Sequence, residues 1–142
     1  MSQSLHFPRS FRRIRTARGL LQKTVALQLE VDPAALCAVE KGTRGPFDQK
    51  LMAKAAQLLR LTDKEHAELS WAAHHDRLIG LLRNRGASDT EIALISASLH
   101  ALHHLQPAQH SGLLASVKRV GESAELISNL SSTLPDMEVE MT

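Results

Sequence analysis

The chain has 142 residues, 43% of them hydrophobic and 23% charged, a balance that excludes a disordered chain and fits one ordinary globular domain or two very small ones. Aromatic residues make up only 3%, with one Trp and no Tyr, which argues against a β-sandwich or barrel and for an all-α fold. The net charge of +2 is unevenly spread: residues 1–60 carry 11 Lys and Arg against 4 Asp and Glu, and residues 61–142 carry 6 against 11, so the front half reads as a polyanion-binding surface.

A first helix is predicted from about Ser10 to Arg18, with Phe11, Ile14 and Ala17 inward and Gly19 as its left-handed stop. A second covers Gln22 to Leu29, with Val25, Ala26 and Leu29 inward. The third starts at Asp32, a capping residue followed by Pro33 at the first helical position. It turns Leu36 and Val39 inward and stops at Gly42. After the loop TRGPF, a fourth helix runs from Asp48 to about Leu59. Thr62-Asp63-Lys64-Glu65 and Ser88-Asp89-Thr90-Glu91 are capping boxes, each opening a further helix. The first of these continues through Leu69, Trp71 and Ala72 toward Leu82 and Gly86. The second carries Ile92, Ile95, Leu99 and Leu102 on one stripe. Beyond Pro107 a last helix, interrupted by Gly112 and Gly121, carries Leu113, Leu114, Val117, Val120, Leu126, Ile127 and Leu130. No strand pattern and no internal repeat emerges.

Gln22 to Gly42 is the informative stretch. Two short helices joined by a tight turn need a small residue in the first, so that the second can cross closely over it. Ala26 meets that need. Val25, Leu29, Val31, Leu36 and Val39 would fix the crossing, because neither helix is long enough to hold alone. With Arg15, Gly19-Leu20-Leu21-Gln22, Ala26, Leu29, Val31, Leu36-Cys37-Ala38-Val39-Glu40-Lys41-Gly42 and Pro46 in register, the segment resembles the helix-turn-helix of the phage-repressor-like (XRE, or Cro/C1-type) transcriptional regulators. The resemblance covers about residues 8–75. It implies a five-helix DNA-binding domain over 1–75, and it pairs Arg15 with Glu40 as a structural ion pair. It also places Gln22 at a phosphate, with Lys23, Lys41 and Arg44 flanking the backbone. Arg12 and Arg13 in the first helix would grip the backbone or the adjacent minor groove.

The sequence departs from the family where bases are read. The outer face of the recognition helix holds Pro33, Ala34, Ala35, Cys37 and Ala38, none of which makes the bidentate contacts of Arg to guanine or of Asn and Gln to adenine. Three readings stay open. The helix touches thymine methyls while DNA shape supplies specificity, it binds with little sequence preference, or the module has become a protein-interaction fold.

Residues 76–131 are expected to form a helical dimerisation or interaction region, because two helices cannot enclose so much Leu, Ile and Val alone. Residues 132–142 read as a mobile acidic tail. His100, His103 and His104, with His110 beyond the proline, lie at helical spacing, yet no acid or Cys accompanies them and no metal or cofactor is assigned. Cys37 is one small side chain on the groove-facing surface, and its singleness excludes an internal disulfide. No nucleophile elbow, phosphate-binding glycine loop or metalloprotease helix is present, so no enzyme is expected. No apolar run approaches the roughly 20 residues that span a bilayer, and the opening residues lack a signal peptide's apolar stretch. The expectation is a cytoplasmic homodimer that binds double-stranded DNA as a repressor. The alternative is an antitoxin or antiactivator whose C-terminal helices capture a protein partner.

Overall fold

The computed structural model describes residues 5–133. Among them every regular element is an α-helix, in the order α1 (Phe7–Ala17), α2 (Gln22–Leu29), α3 (Pro33–Lys41), α4 (Gln49–Leu58), α5 (Asp63–Asn84), α6 (Asp89–His104) and α7 (Pro107–Thr133). Among the described residues, 5–100 form one compact unit and 101–133 a second. Helix α5 runs without a break across residue 75.

Local signals account for most helix ends. Asp32 accepts a hydrogen bond from the Ala34 N–H at 2.9 Å and Asp48 one from Leu51 at 2.8 Å, each satisfying a donor that the helix leaves free. Thr62 and Glu65 form a reciprocal capping box, 3.1 and 3.0 Å, and Ser88 and Glu91 repeat it at 3.1 and 2.9 Å. Gly19, Gly42 and Gly86 stop helices in the left-handed region at φ 68°, 80° and 86°, where a side chain is strained.

One helix start and one helix interior differ from the sequence reading. Helix α1 begins at Phe7, three residues before Ser10, because its cap comes from α5. The buried Asp76 carboxylate accepts the His6 and Phe7 N–H groups at 2.9 and 2.8 Å, an anion set on the positive end of the helix. Helix α7 passes through Gly112 and Gly121 without interruption. A glycine costs only about 1 kcal/mol in a helix interior, and the surrounding Leu, Ala, Lys, Arg and Glu residues outweigh it.

The core of the first unit lies where α1 packs on α3 and α5 and where α2 packs on α3 and α4. Phe7, Phe11 and Phe47 form its aromatic centre, with ring centroids 5.0 to 5.9 Å apart in geometries favourable for aromatic pairs. Val25, Ala26, Leu29, Leu36, Val39, Met52, Ala55, Leu59 and Leu69 complete it. Ala17, expected inward, is exposed. Toward the end of α5 Ile79 is buried, while Leu78 and Leu81 are exposed.

Candidate nucleic-acid interface

The turn between α2 and α3 is short and held from three sides. Glu30 takes the left-handed conformation at φ 59°, so that its N–H reaches Leu27 O at 3.1 Å and the Val31 N–H reaches Ala26 O at 3.0 Å. This is a Schellman-type closure built on a non-glycine residue. Val31 packs on the core. Lys54, from α4, then latches the turn by donating to Leu29 O at 3.1 Å and to the Glu30 carboxylate at 3.0 Å. Its ammonium neutralises the turn rather than adding to a free cationic surface. Nothing local in the sequence marks this contact, since the partners lie 24 and 25 residues apart.

Across that turn, Ala26 is fully buried and lets α3 approach α2. Leu36 and Val39 are buried on the inner side of α3, with Pro33 and Ala34 exposed and Ala35, Cys37 and Ala38 half-buried on the rest of it. The far end of α3 closes on Gly42, with the Thr43 and Arg44 N–H groups both directed at Ala38 O, 3.0 and 3.2 Å. Arg44 and Lys41 are exposed there. At the start of α2, Leu21 supplies no side-chain cap and the first turn holds no acid. Gln22, half-buried, and Lys23, exposed, stand beside N–H groups that have no helical partner and suit an anion.

The arginines of α1 are deployed differently from one another. Arg15 is 8% exposed and bound to Glu40 in a bidentate pair, Nε to Oε2 at 2.7 Å and Nη2 to Oε1 at 2.8 Å, while Nη1 donates to Leu20 O at 2.8 Å. The Glu40 hydrogen bond, partly opposed by burial, raises the Arg15 pKa. Arg13 meets Glu68 and Arg18 meets Glu65, both acids on α5. The acid-free run of the first helix is therefore answered from a distant element, and Arg13 sits in an ion pair. Among the described residues Arg12, Lys23, Lys41 and Arg44 are exposed and enter no ion pair.

Glu65 is held well below the usual carboxylate range, at about 2, first by the Arg18 guanidinium and then by the Thr62 N–H. A depressed acid contributes stability above its unfolded pKa, near 4.5, that is lost as pH falls through the folded one. We expect the α1–α5 latch and the start of α5 to loosen between about pH 4.5 and 2. Glu65→Gln should remove that step from an acid titration followed by circular dichroism. An identical titration in wild type and variant would sink the assignment.

A second polar group ties α5 to α1 and α6. Asp76 accepts only, so the His75 Nδ1 proton points at it, 2.8 Å away, and His75 Nε2 lies 2.8 Å from Ser96 Oγ. The order Ser96, His75, Asp76 matches the connectivity of an acyl-transfer triad. However, the His75 side chain has 0% exposed surface, and Asp76 is occupied capping α1, so the group serves as a clamp. His6, Trp71 and His100 surround it, with ring centroids of His6 at 5.1 Å from Trp71 and 4.5 Å from His75. Burial, with His75 close by, lowers the His6 pKa. Ring contacts also join His103 to His104, and among the described residues no group of three or more His, Cys, Asp or Glu is placed to hold a metal. No described helix is long and apolar enough to cross a membrane. No family model, curated protein or solved structure matches this chain.

Proposed function

We propose that the chain is a DNA-binding transcriptional regulator of the phage-repressor-like kind, cytoplasmic, and a repressor acting as a homodimer. Helices α1–α5 would be its helix-turn-helix domain and α3 its recognition helix. One observation carries the reading. Lys41 and Arg44, at and just past the end of α3, and Lys23, at the start of α2, are cations that are exposed and enter no ion pair among the described residues. Arg13 and Arg15 of α1 and Arg18 at its C-terminal cap, by contrast, are committed to acids. In this docking α3 lies in the major groove, while Lys41, Arg44 and the uncapped start of α2 at Gln22 hold phosphates. Arg12 supplies a further backbone contact. Pro33, Ala34, Ala35, Cys37 and Ala38 offer apolar contact to thymine methyls, so that most discrimination comes from DNA shape and deformability.

Affinity then rests mainly on phosphates and falls steeply with salt. The double variant Lys41→Glu, Arg44→Glu should weaken binding to DNA fragments selected from a random pool by the purified wild-type protein, with the slope of log affinity against log salt shallower by roughly 1 for each lost contact. Fluorescence anisotropy over a salt series measures both. Unchanged affinity and slope would remove this docking. The second reading, capture of a protein partner by the C-terminal half, draws on the apolar residues left exposed along α7, such as Val120 and Ile127. Partner capture and operator binding are compatible.

A further inference from the structure

We propose that the cavity between the start of α1, the loop of residues 42–46 and the last turns of α5 binds a small organic acid, a carboxylate on an apolar body, and that this ligand competes with DNA for Arg44. The cavity measures about 580 Å³, within the range of small-molecule sites. Much of its lining is apolar: Phe7 and Val39 are buried, Pro8 and Pro46 half-buried, and the exposed Leu81 forms one wall. Arg44, Arg77 and Arg83 line it from the loop and from α5. Arg44 and Arg77 enter no ion pair among the described residues, and Arg77 Nη2 donates to Phe47 O, which steadies that guanidinium. The acid in the lining, Asp76, is already turned to the His6 and Phe7 N–H groups and to the His75 ring. Apolar walls with a few polar groups are the ordinary make-up of a ligand site, and the planar guanidinium fork suits a carboxylate.

Two glycines point to a space kept open rather than left over from packing. Gly80 lies inside the 22-residue α5, where glycine is the least favourable residue after proline. Its backbone is not left-handed, and a Cβ added there would meet nothing within 4 Å, so neither a turn nor a close approach requires it. Gly45, in the loop, is the same on both counts. What a side chain at either position would take up is room in the cavity that both line. Arg44 connects this site to the interface. It lines the cavity and is one of the cations assigned to a phosphate, so a carboxylate held there withdraws it from DNA. That coupling rests on the proposed docking, whereas the cavity does not.

The probe is 2-naphthoate, an aromatic carboxylate, titrated into the full chain without DNA and followed by amide NMR shifts. The shifts should cluster at residues 42–45 and 77–84 and leave α7 unmoved. The neutral 2-naphthamide should bind at least about tenfold more weakly, for want of a charge-assisted hydrogen bond. Inorganic phosphate, a charge with no apolar body, should move the same amides only at far higher concentration. Gly80→Leu fills the cavity and should abolish the shifts, while its urea midpoint stays at or above that of the wild type. Should that variant fold poorly, Leu81→Asp, at a position 51% exposed, adds a repelling charge outside the core and should weaken 2-naphthoate severalfold. Shifts confined to α7, equal binding of the amide, or a folded Gly80→Leu that binds as before would each overturn the site. In anisotropy measurements on the selected DNA, saturating 2-naphthoate should raise the dissociation constant of the wild type severalfold and have no effect in Gly80→Leu. A DNA affinity indifferent to bound naphthoate would overturn the competition. A chain that binds naphthoate but not DNA would sink the regulator and spare the site, and salt-sensitive DNA binding with no naphthoate shifts would do the reverse.

Discussion

Replacing Glu40 with alanine should cost roughly 3–5 kcal/mol of folding stability, the range for breaking a buried ion pair from one side. The reason is what the change leaves behind. The Arg15 side chain is 10% exposed and that of Glu40 3%, so the guanidinium cannot recover in water the two hydrogen bonds of 2.7 and 2.8 Å that it loses. Only the contact to Leu20 O at 2.8 Å remains. Against a total stability of about 5–15 kcal/mol, the loss is large enough to shift a denaturant midpoint far outside experimental error. Glu40→Gln keeps one acceptor and should fall between alanine and wild type. Removing both charges at once, with Arg15→Met and Glu40→Leu, should cost less than Glu40→Ala alone, because no unpaired charge is stranded. Equilibrium urea unfolding of the three variants beside the wild type separates these cases. A loss below about 1 kcal/mol in Glu40→Ala would show the pair to be solvated, as surface pairs are. The pair also joins α1 to the last turn of α3, so the same variant should loosen the helix on which the proposed docking depends.

How much of this was legible in the sequence follows from how far each cause reaches along the chain. The ends of α3 and α5 are set by residues within four positions of them. Asp32 with Pro33, Thr62 with Glu65, and the glycines at 42 and 86 are visible as patterns, and the elements begin and stop there. The start of α1 is set by Asp76, 69 and 70 residues away, and no local pattern carries that. The same holds for the interface. The small outward face of α3 and the cations Lys41 and Arg44 can be read directly. The neutralisation of Arg13 by Glu68, 55 residues on, and the diversion of Lys54 into the α2–α3 turn cannot. Counting the basic residues of the front half therefore overstates its free positive charge. Composition gives formal charges, and only folding decides which of them an acid from another helix cancels. Gly112 and Gly121 show the opposite error, a local breaker outweighed by good helix formers on both sides.

The clearest case of long reach is also the second large expected effect. Asp76→Ala should destabilise the fold by about 3–5 kcal/mol, because one carboxylate serves several buried donors. At 4% exposed, it receives the His6 and Phe7 N–H groups at 2.9 and 2.8 Å and the His75 ring at 2.8 Å. An unsatisfied buried donor costs about 1–3 kcal/mol, and some of that is recovered when the first turn of α1 frays toward water, so the contributions do not simply add. Fraying has its own cost. Phe7 is fully buried at the centre of the aromatic core, and unwinding the turn draws it away from Phe11 and Phe47. The prediction therefore has a local signature beyond the lost stability. In Asp76→Ala, amide exchange at residues 6–10 should accelerate far more than at α2 or α4. Asp76→Asn, which keeps one acceptor oxygen but turns an NH₂ group toward donors, should show a smaller version of the same pattern. Uniform acceleration along the chain would mean that Asp76 supports the core as a whole. Unchanged exchange at Phe7 would mean that water replaces the carboxylate at little cost, and that α1 starts where it does for another reason.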